Sequence, residues 1–324
     1  PYLPSKARDG RLDDIRQCMG YNEGCIDRQY RGMPIGCVQN ATIGYEAELA
    51  EIPRAEKVKK VLVIGGGVAG MEAARILRIR GHRVILFEKS HQLGGQLNIA
   101  KLAPKRADYD GAARWLEIQI KKLGVEIRML TEATPEMVFA ENPDAVIVAT
   151  GAVPFLPPIP GLNRCAFAVS AWDVLLQNKP VGERVLVIDD QAGQESTGAA
   201  EFLLDQGKHV EIITPHYSVG EDIGPTNKPP VYARLYAKGV QMQATWEMRA
   251  VEDHTIRLRN VYGGNEIERS DVDTLVYSYG GRPVDELYRA LEGKVAALEN
   301  VGDSYAPRSL HHAVMEANRI ARKI

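Results

Sequence analysis

Two groups of residues in this 324-residue chain have the types and spacing to do chemistry. The first is Gly65-Gly66-Gly67-Val68-Ala69-Gly70, a G-x-G-x-x-G run between the apolar stretch Val61-Leu62-Val63-Ile64 and an Ala-rich stretch from Met71 to Arg80. In that setting the first glycine permits a tight turn, the second lets the backbone approach a pyrophosphate, and the third lets helix and strand pack closely. The helix N-terminus then turns unpaired N–H groups and partial positive charge toward the phosphates. Glu88 ends the next apolar run, Val84-Ile85-Leu86-Phe87, eighteen residues beyond Gly70, where a carboxylate can accept hydrogen bonds from an adenosine ribose. The second group is thiol: Cys18, Cys25 and Cys37, three of the four cysteines, fall within residues 1–57. That leader has no long helix or strand period, so something other than an apolar core organises it, and its cysteines are expected as free thiols or metal ligands.

The elements that would hold these residues follow from the apolar rhythm. Val61–Ile64, the stretch from Met71 to Arg80 and Val84–Phe87 form a βαβ unit. The same rhythm returns about 120 residues later as Val185-Leu186-Val187-Ile188, a helix through Ala199 to Gln206, and a strand from Val210 to Thr214, which predicts two nucleotide-type domains rather than a solenoid. Between them, Asp144 to Thr150 reads as a strand ending in a turn at Gly151, and Pro154 to Pro160 as a linker. Asp273 to Ser278 reads as a further strand, and Pro307 to Lys323 as a closing helix with proline near its first turn. The expected fold is α/β, with two Rossmann-like dinucleotide-binding domains, the second inserted in the first, behind a loop-rich cysteine leader. The expected boundaries are 1–57 for the leader, 58–153 with 271–324 for the first domain, and 154–270 for the insert.

The second turn is degenerate. Where glycines would be needed stand Asp189-Asp190-Gln191-Ala192-Gly193-Gln194-Glu195-Ser196-Thr197-Gly198, nine steps long against five in Gly65–Gly70. Carboxylates there would repel a pyrophosphate, Thr214 replaces the ribose-binding acid, and no adjacent Arg offers the NADP alternative. The insert is therefore expected to keep the fold without the coenzyme, so that electrons enter or leave through a protein partner.

Composition narrows the classes. Apolar residues make up 45% and charged residues 25%, as in ordinary globular chains rather than disordered ones. No window approaches the ~18 uninterrupted apolar residues of a membrane span. Forty basic against forty-two acidic residues, with no basic cluster, argue against a nucleic-acid partner. No signal peptide is read, so a reducing cytoplasm is the expected compartment, and opening on Pro1 is consistent with a natural start after initiator Met removal. Cys165 is expected as a buried thiol.

With Gln92-Leu93-Gly94-Gly95-Gln96-Leu97, the Ala149-Thr150-Gly151 turn and Val301-Gly302-Asp303 added, the glycine motif resembles the flavoprotein disulfide reductase superfamily, which has a glutathione-reductase-like fold and binds FAD across such a domain. The resemblance implies a cofactor set of Gly65, Gly67, Val68, Ala69, Gly70, Glu88, Lys89, Gly95, Gln96, Leu97, Ala149, Thr150, Gly151, Gly302 and Asp303. It implies that Asp303 bonds the ribityl or pyrophosphate region and that the helix after Pro307 points its N-terminus at flavin N1 and the C2 carbonyl, favouring an anionic reduced flavin. No redox cysteine pair follows the nucleotide motifs, so disulfide chemistry is not expected. His311 and His312, near that helix start, read as solvated or packing side chains.

The leader, with Ile15-Arg16 before and Gln39-Asn40-Ala41-Thr42 after its cysteines, resembles the iron–sulfur segment of the trimethylamine dehydrogenase and 2,4-dienoyl-CoA reductase family, C-x2-C-x3-C-x11-C around a 4Fe–4S cluster. Cys18, Cys25 and Cys37 match the first, third and fourth positions; Tyr21 stands at the second. Soft thiolates suit cluster iron, whereas a phenol must be driven to deprotonate. A 4Fe–4S cluster with a substitute ligand, a 3Fe–4S cluster, or no cluster all remain open. Ser170–Leu175, Asp189-Asp190, Val210–Pro215 and Asp285-Glu286-Leu287-Tyr288 look closest to the amine-demethylating branch, the dimethylglycine-, N-methylproline- and histamine-type dehydrogenases. The resemblance spans this chain but only the C-terminal half of the usual architecture, whose other half is an FMN-binding TIM barrel. It implies an electron-transfer half, either a separate subunit or a fragment, in a hetero-oligomer, passing electrons between an FMN-binding barrel subunit or domain and an acceptor such as electron-transferring flavoprotein. No general acid or base is required of this chain. Glu88 and the glycines read only the ADP portion, leaving FAD or ADP. The competing expectations are an NAD(P)H-dependent flavin reductase of the dienoyl-CoA reductase type and a non-catalytic ADP-binding scaffold.

Overall fold

Short β-branched and leucine-rich runs bounded by glycine or charge become strands buried on both faces, the pattern of parallel sheets covered by helices. The computed structural model describes residues 2–324; Pro1 lies outside the described residues. In chain order the strands are β1 (Lys60–Ile64), β2 (Arg83–Phe87), β3 (Glu126–Arg128), β4 (Ala145–Val148), β5 (Ala152–Pro154), β6 (Ala168–Ser170), β7 (Arg184–Asp189), β8 (His209–Ile213), β9 (Gln241–Gln243), β10 (Trp246–Glu252), β11 (Thr255–Asn260), β12 (Glu266–Arg269), β13 (Thr274–Ser278), β14 (Gly281–Pro283) and β15 (Leu298–Asn300).

The chain divides into two compact units. Unit 1 comprises residues 1–101, 108–153 and 283–324, and unit 2 residues 102–107 and 154–282. In unit 1 a parallel sheet runs β15-β4-β1-β2-β3, with Val61 in register with both Val84 and Ala145. The helix Val68–Arg80 packs against the closing helix Leu310–Lys323 and against the helix Asp110–Lys122. In unit 2 a second parallel sheet runs β6-β13-β7-β8-β9, and β10-β11-β12 form an antiparallel sheet. The crossing strands β5 and β14 pair with each other.

Two boundaries differ from expectation. The chain returns to unit 1 at Pro283 rather than near 271, because β13 pairs with β7 and β6 and so is an interior strand of unit 2's sheet. The leader belongs to unit 1 rather than standing apart. It contains only short helical turns, Leu3–Arg8, Ile26–Tyr30 and Glu46–Leu49 among them. Yet Met19, Val38, Ala41 and Leu49 are buried in the same apolar cluster as Val61, Met71 and Val314.

Polar ties join the leader to the helices. Trp115 Nε1 donates to Asp14 O at 3.2 Å, and Arg322 donates to Leu49 O at 2.8 Å and Glu51 O at 2.7 Å. Arg16 lies over the Trp115 ring, 3.7 Å from its centroid. The buried Glu72 carboxylate accepts both arms of the Arg75 fork at 2.8 Å and Asn318 Nδ2 at 2.7 Å. Among the described residues, no helix is long and apolar enough to cross a membrane.

Candidate functional site

β1 runs straight into the glycine loop and the loop into the Val68–Arg80 helix, whose N-cap is Gly67. Gly65 adopts φ +109°, and a Cβ there would lie 2.3 Å from Ala149 O. A Cβ on Gly70 would lie 1.9 Å from Gly65 O, so this glycine is what lets helix and loop touch. Gly67 is different: a Cβ there would meet nothing nearer than Gly95 Cα at 4.0 Å. The loop is thus tight at both ends and open in the middle, at the N-terminus of a thirteen-residue helix.

The turn Gly94–Leu97 closes over this opening. Gly94 N donates to Gly66 O at 2.9 Å, and Gly67 and Gly94 form a parallel bridge. Gln96 Nε2 donates to Asp303 Oδ2 at 2.9 Å across 207 residues of sequence, while the Arg308 backbone N–H donates to Oδ1 at 3.1 Å. Burial pushes the Asp303 carboxyl above the ordinary range, and these two donors partly offset it. A Cβ on Gly302 would press on Ala69 at 2.9 Å, and one on Gly151 would sit 3.7 Å from Gln96 Nε2. Thr150 Oγ1 donates to Val284 O. The glycine loop, Gly95, Gln96, the Ala149–Gly151 turn, Gly302 and Asp303, far apart in sequence, therefore meet in one place.

Glu88 is buried at the end of β2, and its carboxylate is held by the chain itself: Oε2 accepts from Gly66 N–H and Oε1 from Ser90 N–H, each at 2.7 Å. Each oxygen keeps a lone pair for a further donor. Lys89 is exposed, and Val68, Ala69 and Leu97 are buried. A dinucleotide fits this arrangement, because the open side of Gly67 is a cradle that any Cβ would fill. On the far side of Leu93 an open groove of about 400 Å³ carries its own counter-ions, Lys101 with Asp110 at 2.6 Å and Lys121 with Glu117.

The cysteine leader is arranged otherwise. Cys18 is exposed and its Sγ accepts from Gly20 N–H at 3.4 Å, while the half-buried Cys25 thiol faces Asn22 O at 3.6 Å. Cys37 is half-buried. Tyr21 sits edge-on to Tyr109 with ring centroids 5.7 Å apart, and its phenol hydrogen-bonds the Glu23 carboxylate, as does Ser309. No group of three or more His, Cys, Asp or Glu side chains placed to hold a metal occurs among the described residues. A four-ligand cluster does not fit this donor set. His311 is buried with its ring against the Cys37 backbone, and its Nδ1 has no partner; His312 is exposed, 2.9 Å from Ser309 Oγ. Cys165, expected as buried, is half-buried, and burial pushes its thiol up.

In unit 2 the turn after β7 is filled by the chain's own groups. Asp189 is fully buried and accepts from Ser196 Oγ at 2.5 Å and Gly220 N–H at 2.6 Å. Glu195, in the first turn of the helix Gln194–Asp205, accepts from Trp172 Nε1 and from Ser278 Oγ, each at 2.8 Å. Burial pushes both carboxyls up. Thr214 donates to Asp189 O at 2.7 Å. The two acids are thus bound into the fold by Ser196, Gly220, Trp172 and Ser278 rather than presented as free charges, and the helix N-cap, Gly193, carries no side-chain cap.

Sequence reasoning missed Glu23, which lies between Tyr21 and Cys25 and whose partner Ser309 is 286 residues on. Arg16 was likewise readable only as a neighbour of Cys18, not as a cation stacked on Trp115.

Residues 59–302 match the family model described as pyridine nucleotide-disulphide oxidoreductase, and the chain belongs to that family of oxidoreductases. It is 35% identical to the N,N-dimethylglycine/sarcosine dehydrogenase of Chromohalobacter salexigens, over 99% of this chain and 52% of that protein. It is 34% identical to a probable N-methylproline demethylase of Rhizobium meliloti, over 100% of this chain and 52% of that protein. Among solved structures, a 2-naphthoyl-CoA reductase complexed with 2-naphthoyl-CoA superposes with a TM-score of 0.93 at 30% identity, covering 100% of this chain and 49% of that one. The chain spans about half the length of these relatives.

Proposed function

We propose that this chain is the FAD-binding electron-transfer half of an oxidoreductase that demethylates amines, exchanging electrons with an FMN-binding barrel and with an acceptor such as electron-transferring flavoprotein. The observation that carries the reading is the glycine cradle at Gly67 capped by the Gln96–Asp303 pair. Gly65–Gly70 and Glu88 would hold the ADP part. The cap makes sense with a longer cofactor, which favours FAD over ADP. Bound there, the flavin would supply one- and two-electron redox chemistry. The chain's own contribution is to orient it, with Asp303 held by Gln96 and the Arg308 N–H and with the start of the closing helix offering partial positive charge.

A protein partner is favoured over a nicotinamide by the internal filling of the second turn by Asp189 and Glu195. The amine branch is favoured by the dimethylglycine/sarcosine dehydrogenase and N-methylproline demethylase relatives. A barrel partner is supported by the half-length coverage and by the large apolar side chains Ile26, Tyr30, Met33 and Ile35 that the leader leaves exposed. The purified chain is expected to release FAD on denaturation, identified by chromatography and mass, and to keep its flavin oxidised when NADH or NADPH is added. The second reading is an NAD(P)H-dependent flavin reductase, favoured by the 2-naphthoyl-CoA reductase likeness. Rapid bleaching of the flavin by either nicotinamide would put it first, and release of ADP alone would remove the redox role.

A further inference from the structure

We infer that the cysteine leader is closed by a Tyr21–Glu23–Ser309 hydrogen-bond clasp and carries no iron–sulfur cluster. Four sets of contacts lead there. First, the side chain at the second ligand position is committed elsewhere: the Tyr21 ring packs edge-on against Tyr109 and its hydroxyl serves Glu23. To ligate iron it would have to leave both partners and lose a proton whose unperturbed pKa is about 10.

Second, the neighbourhood is acidic. Glu23 Oε2 is buried without a partner, and Asp27 is buried two residues beyond Cys25. The negative charge of a thiolate cluster would add to these acids, of which burial pushes Glu23 up, with the Arg16 cation beside Cys37 as a partial offset. Third, the sulfurs have separate local partners, Gly20 N–H for Cys18 and Asn22 O for Cys25.

Fourth, the loop is already shut without metal. Gly36 N–H donates to Gly24 O at 2.6 Å, and Gly24 lies so close to the Cys37–Val38 backbone that a Cβ would reach Val38 N at 2.6 Å. Gln39 Nε2 donates to Gln17 O at 2.8 Å, Arg16 reaches Gln39 O, and Met19, Val38, Ala41 and Leu49 sink into unit 1's apolar cluster. Where a cluster would be the leader's core, this chain has an ordinary one.

The test starts with the unaltered chain isolated without oxygen and assayed for iron and acid-labile sulfide, with flavin content measured alongside. Only traces of iron and sulfide are expected. Replacing Cys18, Cys25 and Cys37 together by Ser should leave the thermal unfolding temperature unchanged, whereas Tyr21→Phe, which strips the hydroxyl from Glu23, should lower it by roughly 2–6 °C. Stoichiometric iron and sulfide in the unaltered chain would overturn the inference, whether or not the serine variant folds. So would a collapse of stability in the serine variant with Tyr21→Phe neutral. A chain with neither iron nor flavin would uphold the clasp while defeating the flavin reading.

Discussion

Gly67 and Gly70 require the absence of a side chain for opposite reasons, and this separates two experiments. At Gly70 a methyl group would collide with Gly65 O, so Gly70→Ala should cost about 1–3 kcal/mol, read by thermal or denaturant unfolding. At Gly67 there is room, so Gly67→Val should fold normally and emerge without the FAD proposed for this site, read as the ratio of visible to protein absorbance. Glu72 sets an acid limit. Burial alone would raise its carboxyl, but the charge and the fork of Arg75, helped by Arg16 and Asn318, hold it below the ordinary value near 4.5. Its stabilising share is therefore complete above about pH 4.5 and is lost as pH falls through the lower folded value. Glu72→Gln should flatten that acid limb, and by leaving two buried guanidinium groups without a counter-charge it should cost about 3–5 kcal/mol at neutral pH. The glycine pattern and Glu88 were legible because each has a local reason. Gln96 with Asp303, and Glu72 with Asn318, were not, because such pairs exist only once distant segments have folded together.

The helix Gln194–Asp205 begins as a dinucleotide-binding helix should, after a buried strand, yet its first turn bonds Glu195 to Trp172 and Ser278. With that carboxylate bound into the turn and no G-x-G-x-x-G run to receive a pyrophosphate, titration with NADPH should leave intrinsic fluorescence and the spectrum of the proposed FAD unmoved. Asp189 is a structural member of the same turn. Asp189→Ala would orphan the Gly220 N–H and leave the Ser196 hydroxyl only its long bond to Gly193 O, and an unfolding midpoint lowered by the equivalent of about 1–3 kcal/mol is expected. Apolar runs disclosed β1, β2, β4, β7, β8 and β13, because buried strands carry their own hydrophobicity, whereas the three-residue strands β3, β6, β9 and β15 carried too short a run to be read. The return crossing was misplaced because Thr274–Ser278 looks the same whichever sheet receives it. Only its pairing with β7 and β6 decides, and that lies outside the strand itself.

At the level of the chain, residues 154–282 supply nearly all of unit 2, whereas unit 1 is assembled from early and late segments. β15 and the helix Leu310–Lys323 come last, and they complete a sheet and cover a helix begun at residues 60–80. A version ending at Arg282 should show a protease-resistant core mapping to 154–282, with residues before it cleaved, when digests are read by mass spectrometry. During synthesis the ribosome would deliver a finished inserted unit while the Val68–Arg80 helix still lacked its cover. For that interval the nascent chain presents an apolar helix face to chaperones, and a stalled or nicked message would yield one well-folded unit tethered to a partly assembled one.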